Sequence, residues 1–111
     1  MTITWDEFQK VEMRIGTIID AQEFPEAIKP AYKLVIDLGE KIGIKKSSAQ
    51  ITDLYSTKEL IGKQVIAVVN FPPKKITSFS SEVLILGAKG QESGIVLLEL
   101  DTPIQNGAKI S

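Results

Sequence analysis

"YSTKELIGKQVIAVVNF", residues 55–71, is the stretch on which the fold turns. Ser56 and Glu59 have the spacing of a capping box, in which a hydroxyl and a carboxylate each take a backbone N–H at a helix start. Leu60 and Ile61 give that helix a buried side, and Gly62 suits its end. The helix expected over residues 52–62 runs directly into "QVIAVVNF", which is apolar on both faces and reads as a central strand covered on two sides. One short helix is therefore lodged between strands.

Upstream of it the pattern has period two. Residues 12–20, "EMRIGTIID", place Met13, Ile15, Thr17 and Ile19 on one side, and Gly16 suggests a bend or bulge. "FPEAIKPA" is a connector. "YKLVIDL", residues 32–38, turns Tyr32, Leu34, Ile36 and Leu38 inward. "IGIKKSS" is a third strand, with Ile42 and Ile44 inward until Lys46 breaks the pattern. Downstream, "EVLILGA" and "GIVLLEL" are two more strands joined by the turn-rich "KGQESG". At the start of the chain, Thr4 and Glu7 form a second capping box, for a helix to about Lys10 that should dock by Trp5 and Phe8. Six short strands, with a small helix between the third and fourth, is the order of an all-β OB-fold barrel of five to six strands; a generic β-sandwich is the competing architecture.

Composition narrows the function. The 111 residues make one domain, 1–111, long enough for its own core. With no cysteine there is no thiolate metal site or thiol nucleophile, and with no histidine the usual general base is gone. Ser47, Ser48, Ser80 and Ser81 therefore lack an activating partner. The carboxylates Asp20, Glu23, Asp37, Glu40 and Glu82 are scattered without metal-ligand spacing, and the glycines form no phosphate loop. An enzyme is not expected, and neither is a metal or cofactor. No apolar run approaches the ~20 residues of a membrane span, and no basic-then-apolar leader opens the chain, so no membrane insertion and a cytoplasmic location are expected.

The formal net charge of −1 conceals an asymmetry: residues 41–80 carry seven basic and two acidic side chains, whereas residues 1–40 carry four and eight. A locally positive surface can attract a polyanion despite the overall sign, because distant charge is screened. Lys45-Lys46 and Lys74-Lys75 sit at strand ends beside serines, where hydroxyls can bond phosphate or ribose. Taken alone, each pair also fits a solvated strand end. The outward positions expected on the second and third strands, Lys33, Val35, Asp37, Gly43, Lys45 and Ser47, include no aromatic platform for stacked bases. Such a surface suits folded RNA read by shape, or an extended peptide.

"RIGTIIDAQEFPEA", "YSTKELIGKQVIAVVNFPPKKI" and "SEVLILGA" together resemble the stand-alone tRNA-binding domain, an OB-fold module found also at the C-terminal part of methionyl-tRNA synthetases. Within that family, "IDLGEKIGIKKSSAQIT" and "VVNFPPKKI" look most like its branch of export-related chaperones. The resemblance runs from about Phe8 to Ile110. It implies a homodimer joined through the terminal segments, and two ligands: the outer corner of tRNA, and unfolded segments of secretory precursor polypeptides. An export role further implies contact with the export machinery. Arg14 and Gly16 match the family's R-x-G, Asn70 the asparagine ending the fourth strand, and Ser81 a serine before the fifth. As a peptide binder the chain would use Phe71, Phe79 and Leu84 as an apolar groove, with Arg14, Ser48, Asn70 and Ser81 bonding the peptide backbone. As a tRNA binder it would use Lys45, Lys46, Lys74, Lys75 and Ser81. Ser78 and Val83-Leu84 stand where many relatives have Gly and Gly-Met, which removes places for close backbone approach to RNA. The chaperone branch tolerates these changes.

Overall fold

The computed structural model describes residues 1–91 and 94–111; Glu92 and Ser93, in the expected "KGQESG" turn, lie outside the described residues. The fold is an OB-type barrel. It is organised around β1 (Met13–Glu23), which pairs antiparallel with β2 (Tyr32–Asp37) through residues 17–23 and with β4 (Gln64–Val68) through residues 13–17. With β3 (Ile44–Ala49) and β7 (Leu84–Ile85) the sheet order is β3-β2-β1-β4-β7. The remaining strands are two hairpins, β5 (Lys74–Ile76) with β6 (Phe79–Ser81), and β8 (Gly87–Lys89) with β9 (Ile95–Leu97).

The alternation in β2 is as read: Tyr32, Leu34 and Ile36 are buried, and Leu38 beyond the strand continues the series. These side chains meet Ile18, Leu60 and Val65 in the core. Gly16 leaves room on β1 for the side chains of Ile36 and Leu38. A Cβ there would lie 2.6 Å from Ile36 Cγ2 and 2.7 Å from Leu38 Cδ2, so a side chain would force the strands apart.

Two strands depart from simple alternation, each for a local reason. In β1 the register slips between Ile18 and Asp20, which face Ile36 and Val35 in turn. Ile19 is the extra residue of this bulge and is exposed, while Ile18 and Ala21 face inward. In β3 the inward phase is the reverse of the expected one: Ile44 is 61% exposed and Ser47 1%. The cause is a turn of helix, α2 (Gly39–Ile42), where the strand was expected to begin. Gly43 leaves it at φ +89°, a conformation that glycine adopts without the Cβ penalty, and this resets the phase of β3.

The helix between β3 and β4 is present but short, α3 (Thr57–Leu60), started by the Ser56–Glu59 capping box. Leu60 plugs the core and Ile61 is exposed, so only one of the two expected residues is buried. Gly62 N donates to Ile18 O (2.8 Å) and Ile18 N donates to Lys63 O (2.9 Å), tying the helix exit to the bulged strand. The N-terminal helix α1 (Trp5–Gln9) has its Thr4–Glu7 box, yet no residue of it is buried. Trp5 meets Phe8 with ring centroids 5.5 Å apart and remains 63% exposed, while Phe8 is half-buried, so the expected docking is made by Phe8 and not by Trp5.

The barrel closes without a long ladder between its first and last strands. Glu82 N donates to Lys46 O (2.8 Å), and Lys46 N donates to Glu82 Oε1 (2.9 Å). Ser47 Oγ donates to Val83 O (2.8 Å), and Ser48 N donates to Ser81 Oγ (3.0 Å). Side chains thus supply bonds that strand pairing does not. At the other side, the C-terminal segment covers the part of β1 that β2 leaves open: Ile15 N donates to Ala108 O (3.0 Å), Gly107 N to Ile15 O (2.7 Å) and Ile110 N to Met13 O (3.0 Å).

Candidate functional site

The stretch after β4, "NFPPKKITSFSSEV", forms a hairpin. Pro72 and Pro73 have no N–H to extend the β4 ladder, so the chain leaves the sheet and returns as β5 and β6. Lys74 pairs with Ser81, Lys75 with Ser80 and Ile76 with Phe79 across the two-residue turn Thr77-Ser78. Thr77 takes φ +55°, a left-handed conformation that a β-branched residue seldom adopts. The turn has neither Asn-Gly nor Asp-Gly, the short-range signals of a hairpin.

Alternation within the hairpin sorts its side chains. Lys74, Ile76, Phe79 and Ser81 share one face; Lys75 and Ser80 share the other. The first face lies over the outer side of β2 and β3. There Ser81 meets Ser48, and the Phe79 ring meets that of Phe24 edge-on at 5.4 Å. Rings that the outward positions of β2 and β3 lack are supplied from outside the strands, with Phe24 buried beneath and Phe79 half-buried.

Between this hairpin, the end of β3 and strands β7 and β9 is a cleft of about 490 Å³. Ile51, Val83, Ile85, Ile95 and Leu97 give it an apolar lining; Ser48, Gln50, Lys74, Ser81 and Glu82 add polar groups; Phe71 and Leu84 stand on it 53% and 48% exposed. Pockets of roughly 300–1000 Å³ with few polar groups among apolar ones are the usual form of a binding site. A second, shallower hollow lies against the β1–β2 connector, lined by Phe24, Pro25, Ile28 and Tyr32 among others. At its edge the buried Tyr32 hydroxyl donates to Tyr55 O (2.7 Å), and burial foremost, then Glu23 and Glu59, raises its pKa above the ordinary 10.0.

The cleft brings together Ser48, Phe71, Lys74, Ser81 and Leu84 of the residues expected from sequence. It does not include the others. Asn70 has its amide engaged elsewhere: Nδ2 donates to Lys10 O (2.7 Å) and Oδ1 accepts from Glu12 N (3.0 Å). Arg14 donates from Nη1 to Gly107 O (3.0 Å) and pairs with Glu12 at 2.9 Å, so it holds the C-terminal segment to β1. Phe79 lies behind the cleft, against Phe24. The four lysines do not form one patch. Lys45 pairs with Ile36 and so takes the inward phase of β3, whereas Lys46 pairs with Val35 and faces out; Lys74 faces the cleft and Lys75 the far side of the hairpin. Ile51, Ile76, Ile95 and Leu97 were not singled out from sequence. Only Ile76 carries a local signal, as the lone aliphatic residue in a run of lysines and hydroxyls.

This barrel, with an apolar cleft under a basic hairpin, defines a small OB-type binding module. Residues 13–109 match the family described as a putative tRNA binding domain. The chain is 36% identical to the methionine–tRNA ligase of Thermotoga maritima over 98% of its own length but only 17% of that enzyme's. It is 47% identical to the chaperone CsaA of Bacillus anthracis, with a TM-score of 0.94 and both chains fully covered. To CsaA of Picrophilus torridus it is 53% identical, with a TM-score of 0.93, over 99% of this chain and 100% of that one. The chain belongs to the tRNA-binding domain family, and it resembles the CsaA proteins over their whole length.

Proposed function

We propose that the protein is a CsaA-like chaperone that holds unfolded or secretory precursor polypeptide, acting by binding and without catalysis of its own. The observation that carries this reading is the cleft itself: an apolar lining open to solvent, with Phe71 and Leu84 half-exposed on it. Large apolar groups kept in water at a concave site gain by covering an extended chain's side chains, while Lys74 and the polar edge at Ser48 remain for its backbone and polar groups. The reading extends to the cytoplasm as its location, to the export machinery as a contact and to a homodimer as its assembly. Trp5 is exposed in the N-terminal segment and Ile104 in the C-terminal one, which leaves apolar groups for a second copy.

The test is anisotropy of a labelled, unstructured apolar peptide. Phe71→Ser and Leu84→Ser should each weaken binding about 5- to 10-fold, close to 1–1.4 kcal/mol, with little dependence on salt. No binding by the wild-type protein at low salt would sink the proposal. A monomeric mass at micromolar concentration would remove the dimer.

The second reading is a tRNA-binding accessory protein that recognises the tRNA corner by shape. The family match over residues 13–109 supports it, as do Lys46 and Lys74 on the hairpin side of the barrel. Phosphate contacts would make that binding fall steeply with salt.

A further inference from the structure

The outward faces of β2 and β3 carry two lysines as diagonal neighbours, Lys33 opposite Ser48 and Lys46 opposite Val35. Both ammonium groups converge on one ring. Lys33 Nζ lies 5.8 Å and Lys46 Nζ 5.5 Å from the Phe79 centroid, and Lys33 Nζ is also 4.9 Å from that of Phe24. Two like charges that share a ring lie no more than about 11 Å apart, within reach of mutual repulsion at a screening length of ~8 Å at physiological salt. Among the described residues neither is in a salt bridge, the Arg14–Glu12 pair being the one ion pair there. Glu82, the carboxylate beside β3, accepts from the Lys46 backbone N–H and not from either ammonium. The rings restrict the two side chains while leaving the ammonium hydrogens free, and a bridging anion would turn their repulsion into attraction.

We propose that Lys33 and Lys46, steadied by Phe79 and Phe24, form a phosphate-binding pair that takes phosphodiester groups of an RNA backbone. This rests on the tRNA reading and adds to it a second strand's lysine and two positioning rings. Neither Lys45 nor Lys75 belongs to the pair. Lys74, on the hairpin face that carries Phe79, continues the basic row toward the cleft.

The experiment is equilibrium binding of bulk tRNA across a salt series, with inorganic polyphosphate as a parallel probe. Proteins are the wild-type chain, Lys33→Ala, Lys46→Ala, the double variant and Phe79→Leu. Each lysine removed should flatten the slope of log affinity against log salt by about 0.7–0.9. For the double variant, the deficit relative to wild type should shrink about eightfold between about 50 and 200 mM salt. Phe79→Leu keeps both charges, so it should weaken tRNA binding while preserving most of the slope; full wild-type affinity would remove the rings from the proposal. Wild-type tRNA binding with an unchanged slope in the double variant overturns the pair and leaves the tRNA reading standing. Loss of tRNA binding altogether, with polyphosphate binding that still depends on both lysines, supports a phosphate site and overturns RNA as its ligand. Binding of neither probe overturns both.

Discussion

Ser47→Ala should loosen the barrel at the seam between β3 and residues 81–83. Ser47 is 1% exposed, and its hydroxyl donates to Val83 O at 2.8 Å. Val83 is itself buried, 4% exposed, so its carbonyl is left poorly hydrated once the donor is gone. Leaving a buried acceptor unsatisfied costs about 1–3 kcal/mol, beyond the modest net value of the bond. For a domain near 100 residues, each kcal/mol lowers the melting temperature by about 4 °C. The expected loss is therefore about 4–12 °C in thermal unfolding followed by circular dichroism, with a matching drop in the urea midpoint. Ser48→Ala is the internal control. Ser48 contributes only its backbone N–H to the seam, received by Ser81 Oγ, so its truncation should leave the melting temperature almost unchanged. Equal behaviour of the two variants would refute the claim that side-chain bonds close this barrel. Because Val83 also lines the cleft, Ser47→Ala should weaken peptide binding as well.

Arg14→Ala should lower stability by about 1–2 kcal/mol, because a charged donor to Gly107 O is lost; peptide affinity should stay within about twofold, and a larger loss would return Arg14 to the binding surface. Stability should also fall in alkali through Tyr32. Its phenol has a pKa raised in the fold, so the stabilisation is complete below the unfolded value of about 10 and is lost as pH climbs through the raised folded value. Tyr32→Phe should remove that part of the alkaline slope in urea titrations at pH 9–11, and an unaltered slope would contradict it. Finally, tRNA should displace bound peptide, since Lys74 and Ser81 belong to the cleft and to the basic row alike; a ternary complex seen by two-colour binding would count against one shared surface.

The barrel was legible because its decisive signals are local. The Ser56–Glu59 box, the period-two run in β2 and the doubly apolar β4 each follow from short-range sequence. What was not legible depended on single residues that change phase. Ile19 adds one residue to β1, and Gly43 ends a helical turn that the alternation of Ile42 and Ile44 hides. A shift of one residue exchanges the faces of a strand. It moved Ser47 from the surface into the seam and exchanged the faces of Lys45 and Lys46. The site was legible in part for the same reason: Phe71, Lys74, Ser81 and Leu84 lie in or beside one hairpin, whereas Ile51, Ile95 and Leu97 reach the cleft from distant parts of the chain. Asn70 and Arg14 match family positions, yet their polar atoms are occupied by partners within the chain: backbone groups for Asn70, and Gly107 O with the Glu12 carboxylate for Arg14.

The hairpin ties these observations together. Pro72-Pro73 release it from the β4 ladder, and its one inward face then acts at three places in succession. Ser81 receives the Ser48 N–H and helps to close the barrel. Lys74 and Ile76 line the cleft, and Phe79 carries the ammonium groups of Lys33 and Lys46. A change that displaces the hairpin should therefore alter closure, peptide binding and phosphate binding together, whereas Lys33→Ala or Phe71→Ser should alter only one of them. Thr77 allows the two cases to be separated. A glycine accepts φ +55° without the steric cost borne by a β-branched residue, so Thr77→Gly should relax the turn while leaving the inward face intact. If the hairpin acts as one rigid unit, that variant should keep peptide and phosphate affinities and change only stability. Unequal losses of the two affinities would show that the inward face does not move as one.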